Sequence, residues 1–301
     1  MISVCSVILD GMQEYTQVFV HSLLRNCSEI SEVIFVKVDG PEGLLSETIH
    51  HGVPCRIIGY PLAASFENQY VKEWILQICG HALGLHHAID QATAPYVWLT
   101  DPDVFFFNPV DRIYLDLMQK FDLNIIGISH FNALDQSYLD FPCVTNCLIK
   151  KESLPNPDWL SGSLYFRTIM KVEQFTNKEK IVPLDGKYLV PGPIEELAAG
   201  FPNPRGFFDV GCNLWLWNQN KRWLSFNLNH TKEFSYEDYG FEEIVYPMNY
   251  TTASYRTNFG LKDDLGQVEL LYHRTRGARE GGQQFKELYE KIYRTVTSPT
   301  E

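Results

Sequence analysis

Short apolar segments alternate with longer segments of helical pattern over the first hundred residues of this chain. The strand candidates are residues 2–9, 33–39, 55–60 and 96–100, and the helix candidates are residues 14–27 and 67–94. Strands that alternate with helices at this spacing favour a mostly parallel sheet with helical crossovers. The sequence therefore predicts an α/β fold whose ligand lies at the carboxyl ends of the strands.

The second half of the chain is richer in aromatic residues, prolines and glycines, and its pattern is less regular. Its strand candidates are residues 124–131 and 267–277, its helix candidates are 207–223 and 283–296, and 157–175 fits either a strand or a helix. No repeat, low-complexity tract or flexible linker separates the halves. We therefore expect one continuous domain with two lobes, residues 1–110 and residues 111–301.

Charge and cysteine usage exclude some classes of protein. The net charge is -12 and no basic block occurs, which argues against a nucleic-acid partner because binding to phosphates needs a basic patch. The cysteines number seven and are scattered, as expected for reduced thiols inside a cell. The first residues lack a basic segment typical of a signal peptide, and no apolar run is long enough for a transmembrane segment. The sequence predicts a cytoplasmic protein.

Two aspartates, Asp101 and Asp103, follow the apolar strand candidate 96–100 and precede the aromatic run "VFFF". In an extended segment, side chains two residues apart point to the same side, so both carboxylates can converge on one ligand. Neighbouring carboxylates are unfavourable without a cation, and Mn²⁺ or Mg²⁺ prefers such oxygen ligands. The alternative is a solvated turn that ends the strand, but the apolar residues on both sides favour a binding site.

The segment "ICGHALGLHHAIDQATAPYVWLTDPDVFFF", residues 78–107, resembles glycosyltransferases of the GT-A fold, particularly those of family 2. In that family a glycine-containing helix leads to an apolar strand that ends in the metal-binding DxD motif. "VCSVIL" and "VIFVKVDG" look like the first two strands of its nucleotide-binding lobe, and "DWLSGSLYFR" is similar to the segment that shapes its sugar and acceptor pocket. The resemblance implies a Rossmann-like, mostly parallel sheet flanked by helices. It also implies a nucleotide-sugar-binding lobe at residues 1–110 and an acceptor-binding lobe with a C-terminal helix at residues 111–301.

The resemblance assigns roles at the nucleotide end of the site. Asp103 matches the direct metal ligand, and Asp101 matches the neighbour that holds the ribose, or the metal through water. Asp39, in "VIFVKVDG", stands where the family holds the nucleobase or ribose.

The remaining candidates come from the second half of the chain. "GFFDVGCNLWLW" is similar to the family's acidic segment at a helix start, which usually reads Glu-Asp, whereas this chain has Phe208 and Asp209. Asp209 matches the catalytic base, although an N-cap role explains an acid at a helix start equally well. "LLYHRTRG" matches the region that places a histidine near the metal or diphosphate, which is His273 here. Arg274 and Arg276 would bind the diphosphate from a loop that closes over it.

These residues imply a metal-dependent hexosyl- or pentosyltransferase. It would move a sugar from a UDP- or GDP-sugar to a hydroxyl of a glycan or glycoconjugate acceptor, with inversion because one acid serves as base and no second nucleophile is evident. The alternative enzyme is a phosphatase of the haloacid dehalogenase type, since "LTDPDVF" also fits its motif. That motif normally lies on the first strand, whereas three strand candidates precede it here.

His81, His86 and His87 are expected on a helix surface, with His86 or His87 as candidates for contact with the nucleotide.

Overall fold

The computed structural model describes residues 1–9, 12–38, 40–61, 81, 84–106, 108–132, 137–154, 221–232, 249–261, 265, 272–274 and 290. The segment 157–175 and most of the candidates 207–223, 267–277 and 283–296 lie outside these residues. No helix in the described part of the chain is long and apolar enough to cross a membrane.

The described elements follow one another in this order: β1 (Ile2–Ile8), α1 (Gln13–Asn26), β2 (Ile30–Val38), β3 (Gly43–His50), β4 (Val53–Tyr60), α2 (residues 84–91), β5 (Tyr96–Thr100), β6 (Val104–Phe106), α3 (Val110–Phe121), β7 (Ile125–Asn132), β8 (Ser137–Lys150), β9 (Trp223–Lys232), β10 (Asn249–Thr257) and β11 (Tyr272–Arg274).

Nine of the described strands form one sheet in the order β10-β9-β7-β8-β5-β1-β2-β4-β3. Strands β4, β2, β1 and β5 are parallel neighbours, which confirms the predicted α/β fold in the segments that indicated it. The sheet as a whole is mixed, because β8 is antiparallel to both β5 and β7, and the edge strands β3 and β10 are antiparallel to their neighbours. Its strands come from both predicted lobes, while the division at residue 110 stays a prediction.

Parallel strands at the centre of the sheet are covered on both faces. All seven residues of β1 are buried, which is why the strand reads as a continuous apolar run rather than an alternating one. On one face α1 contributes Phe19, whose ring packs edge-on against Phe35 of β2 at 5.7 Å and Phe106 of β6 at 5.9 Å between ring centroids. This packing fixes α1 and β6 relative to the central strands.

Six described elements were not predicted from the sequence: β3, β6, α3, β8, β9 and β10. All eight residues of the edge strand β3 are exposed, so its sequence carries no buried face to recognise. A tight turn at His51 and Gly52, both with positive φ, joins β3 to β4. Helix α3 does carry a helical pattern, because Val110, Tyr114 and Met118 recur at a spacing of four residues and are all buried.

A buried carboxylate joins the amino ends of the parallel strands. Glu32 Oε1 accepts hydrogen bonds from Ser3 Oγ at 2.6 Å, Thr93 N at 2.7 Å and Thr93 Oγ1 at 2.6 Å, and Arg56 Nη2 donates to Oε2 at 2.5 Å. Burial by itself raises the pKa of Glu32, but these hydrogen bonds outweigh it and hold the pKa below its ordinary value. The cluster links β1, β2, β4 and the segment before β5, at the end of the sheet opposite Asp101.

Candidate metal and nucleotide site

Asp101 and Asp103 lie where β5 leaves the buried sheet. Residues Val97 to Leu99 are fully buried, Asp101 is 7% exposed and Asp103 is half-buried. Residues 102 and 103 form a turn between β5 and β6 rather than a continuous extended segment. The alternation of an extended strand is therefore not what orients these carboxylates, and their convergence on one ligand stays a prediction.

The turn is followed by a second, two-stranded sheet that brings distant parts of the sequence together. Strand β11 pairs antiparallel with β6, with Arg274 opposite Val104 and His273 opposite Phe105. The backbone of Arg274 thus lies opposite the residue that follows Asp103. The structure places residues 272–274 of this predicted motif beside the turn that carries Asp103, although no sequence pattern shows that β6 and β11 pair.

Strand β6 is also held from its other side. Asn26, the last residue of α1, donates a hydrogen bond from Nδ2 to the Phe106 carbonyl at 2.8 Å. Phe106 packs against Trp98 of β5 at 5.0 Å between ring centroids, and Trp98 Nε1 donates to Asn146 Oδ1 at 2.8 Å. The turn that carries Asp103 is therefore anchored at both ends by buried contacts.

Among the described residues, His81 contacts Asp101. Its Nε2 lies 3.4 Å from Asp101 Oδ1. The sequence predicted a helix surface for His81, His86 and His87, with His86 or His87 as candidates for contact with the nucleotide. In the structure the side chains of His86 and His87 have other neighbours. His86 Nε2 lies 3.4 Å from Asp90 Oδ2 on the same helix.

His87 faces the end of β4. Its ring centroid lies 5.2 Å from that of Tyr60, the last residue of the strand. Burial lowers the pKa of His87 below its ordinary value. Whether either ring contacts a nucleotide stays a prediction.

Helix α2 begins over the carboxyl ends of the parallel strands because Gly84 permits a very close approach. A Cβ atom at Gly84 would lie 2.6 Å from Val7 Cγ2 and 3.0 Å from Val38 Cγ2. Val7 and Val38 are near the ends of β1 and β2, so the start of α2 lies at the same edge of the sheet as Asp101.

The other predicted site residues are described only in part. The backbones of His273 and Arg274 are placed by β11, whereas Asp39, Asp209 and Arg276 lie outside the described residues. Asp39 directly follows β2 in the sequence. Their roles stay predictions.

The donor chemistry of the described residues fits a hard divalent cation. Asp101 and Asp103 supply carboxylate oxygens, the ligands that Mg²⁺ and Mn²⁺ take in proteins. Within the described ranges, no group of three or more His, Cys, Asp or Glu residues could hold a metal ion. A complete site would therefore need further ligands, from bound phosphate or from other parts of the chain.

No protein-family model and no curated protein matches this sequence. Among solved structures, galactosyltransferase LgtC in complex with donor and acceptor sugar analogs is similar over 100% of this chain and 98% of its own, with 14% identity and a TM-score of 0.42. TarS 1-349 from S. aureus in complex with UDP is similar over 52% of this chain and 49% of its own, with 14% identity and a TM-score of 0.35. This chain therefore spans about half of that TarS chain.

Mannosyltransferase PcManGT from Pyrobaculum calidifontis, in complex with GDP-Man and Mn²⁺, is similar over 56% of this chain and 52% of its own, with 10% identity and a TM-score of 0.35. LgtC and PcManGT are glycosyltransferases by name. The similarity to family 2 in particular stays a prediction.

Proposed function

We propose that this protein is a metal-dependent glycosyltransferase that moves a sugar from a UDP- or GDP-sugar to a hydroxyl of a glycan or glycoconjugate acceptor. The observation that supports it is the position of Asp101 and Asp103 at the carboxyl ends of the parallel strands, with β11 paired beside them. In α/β sheets this edge is where ligands bind.

The aspartates would hold the diphosphate end of the donor. A divalent ion, when bound to Asp103, would stabilise the negative charge of the leaving diphosphate as a Lewis acid. Asp101 would contact the ribose, or the ion through a water molecule. Its burial beside the apolar end of β5 reduces competition from solvent and so strengthens such contacts.

Cationic and histidine side chains from the C-terminal part of the chain would complete the diphosphate site. His273 would bind the metal or the diphosphate, and Arg274 and Arg276 would neutralise the phosphates. The backbone pairing of β11 with β6 supports this assignment, because it brings this segment next to Asp103.

The remaining roles follow from the sequence resemblance. Asp39 would bind the nucleobase or ribose, and Asp209 would remove the proton from the acceptor hydroxyl, with inversion at the sugar carbon. Residues 1–110 would bind the donor and residues 111–301 the acceptor. The cytoplasmic location inferred from the sequence also stays a prediction.

Ligand-dependent thermal stability tests the proposal. We would measure the unfolding midpoint with UDP, GDP, UDP-GlcNAc and GDP-mannose, each with and without Mn²⁺. A ligand at about 100 times its Kd stabilises the folded state by roughly 2.7 kcal/mol and raises the midpoint by a few degrees. We expect a rise for at least one nucleotide that requires Mn²⁺.

Two variants localise the effect. Asp103→Ala should lose the stabilisation by Mn²⁺ and nucleotide, and Asp116→Ala, at an exposed position on α3, should keep it. Absence of metal-dependent stabilisation by every nucleotide tested would refute the proposed function. Release of phosphate from a phosphomonoester that depends on Asp101 would favour the phosphatase instead.

A further inference from the structure

The contact between His81 and Asp101 joins two parts of the site that the sequence does not link. His81 Nε2 is 3.4 Å from Asp101 Oδ1, and the two side chains are 27% and 10% exposed. Three residues further along the chain, Gly84 packs closely against Val7 of β1.

We propose that His81 is a positioning residue for Asp101. Because Nε2 lies 3.4 Å from Oδ1, the imidazole would restrain the rotation of the carboxylate and so fix the orientation that it presents to the metal ion or the ribose. This inference rests on the proposed function, since it assumes that Asp101 serves a metal and nucleotide site. It adds a residue whose effect on the ligand is exerted through Asp101.

His86, on α2, provides a natural comparison. His86 contacts Asp90 at the same distance, 3.4 Å, but this pair lies within one helix and Asp90 is exposed. If a histidine-carboxylate contact contributed only to stability, substituting either histidine would give the same result. An effect confined to His81 would indicate that its contact with Asp101 matters.

Direct measurement of Mn²⁺ affinity tests this role without relying on activity. We would titrate Mn²⁺ into the full chain and follow the free ion by electron paramagnetic resonance, first without nucleotide and then with UDP or GDP. His81→Ala should weaken Mn²⁺ binding by about 10- to 100-fold, the usual effect of removing a residue that orients a metal-binding carboxylate. His86→Ala should leave the affinity unchanged.

A conservative variant separates positioning from a purely structural role. Glutamine carries an N–H donor at nearly the same distance from the backbone as histidine Nε2, so His81→Gln should restore most of the affinity. In an Asp101→Asn background, His81→Ala should cause little further loss, because the two residues act as one unit. Since His81 is partly exposed, its truncation leaves no closed cavity, and urea unfolding of each variant verifies the fold.

The outcomes distinguish the two proposals. If the unsubstituted protein does not bind Mn²⁺ with or without nucleotide, the proposed function fails and this inference fails with it. If the protein binds Mn²⁺ and His81→Ala binds it equally well, the positioning role is refuted while the proposed function stands. Equal losses in His81→Ala and His81→Gln would likewise refute it, as would losses in His81→Ala and His86→Ala of the same size.

Discussion

Replacing Glu32 with glutamine removes one charge from the cluster that joins the amino ends of the parallel strands. The carboxylate accepts four hydrogen bonds from Ser3, Thr93 and Arg56 and donates none. Glutamine has the same shape but offers only one oxygen, so its amino group must face a donor in either orientation. If the oxygen stays with Ser3 and Thr93, the amino group meets the guanidinium of Arg56.

The magnitude follows from that mismatch. A hydrogen bond to a charged group contributes roughly 1.5–3 kcal/mol, and loss of one partner from a buried ion pair costs about 3–5 kcal/mol. Arg56 keeps partial access to water, with 22% of its side chain exposed, so the lower part of the second range applies. We expect Glu32→Gln to reduce the free energy of unfolding by about 3 kcal/mol.

Urea unfolding at pH 7 measures this loss, and Asp122→Asn provides the matched control. Lys150 Nζ contacts Asp122 Oδ1 at 2.9 Å, but Asp122 is 80% exposed. The same change from carboxylate to amide at Asp122 should not shift the midpoint measurably, because water replaces the lost contact. Shifts of equal size in the two variants would refute the argument that burial makes the Glu32 cluster strong.

The effect of Glu32 should also depend on pH. Although burial opposes it, hydrogen bonding lowers the pKa of the folded carboxyl below its ordinary value of 4.5. A group with a lowered folded pKa stabilises the protein above the unfolded pKa, and this contribution is lost as pH falls through the folded value. The difference in stability between the unsubstituted protein and Glu32→Gln should therefore be constant near neutral pH and decrease below about pH 4.5.

Two further substitutions test the packing of the helices against the sheet. Gly84→Ala should lower the free energy of unfolding, measured in urea, by about 1–3 kcal/mol. The added Cβ atom would lie 2.6 Å from Val7 Cγ2, and the cost of this clash exceeds the gain in helix propensity. A net stabilisation would show that α2 can move away from β1. Asp111→Ala should lower the free energy of unfolding by about 2–4 kcal/mol in the same assay. Asp111 is fully buried, and its Oδ2 accepts hydrogen bonds from the backbone N–H groups of Ser28 and Glu29, both at 2.7 Å. Asp111→Asn, which can keep that oxygen, should retain most of the stability, and an equal loss in both variants would contradict this reasoning.

The central strands were predictable because burial on both faces requires a continuous run of apolar residues. Strands β1 and β5 read as continuous apolar runs, and the aspartates that end β5 stand out against them. The sequence of β3 has no such apolar run, because an exposed edge strand needs no apolar face. Its conformation comes from pairing with β4, and pairing is a property of two segments rather than one.

The same reason limits what could be predicted of the site. The acid pair was visible because its neighbours in the sequence are also its neighbours in space. The contact of His81 with Asp101 joins two residues that are far apart in the sequence. No periodic pattern distinguishes His81 from His86 or His87, so the sequence alone did not predict this contact.

Strand β11 has a consequence for the order in which the protein acquires its parts during synthesis. The last described strand of the large sheet, β10, ends at Thr257, whereas β11 comprises Tyr272–Arg274. At a translation rate of about 5–20 residues per second, the nine-stranded sheet leaves the ribosome before the segment that pairs beside Asp103. A nascent chain can thus bury its core while the strand next to the aspartates is still missing, so folding of the sheet and completion of the binding edge are separate events in time.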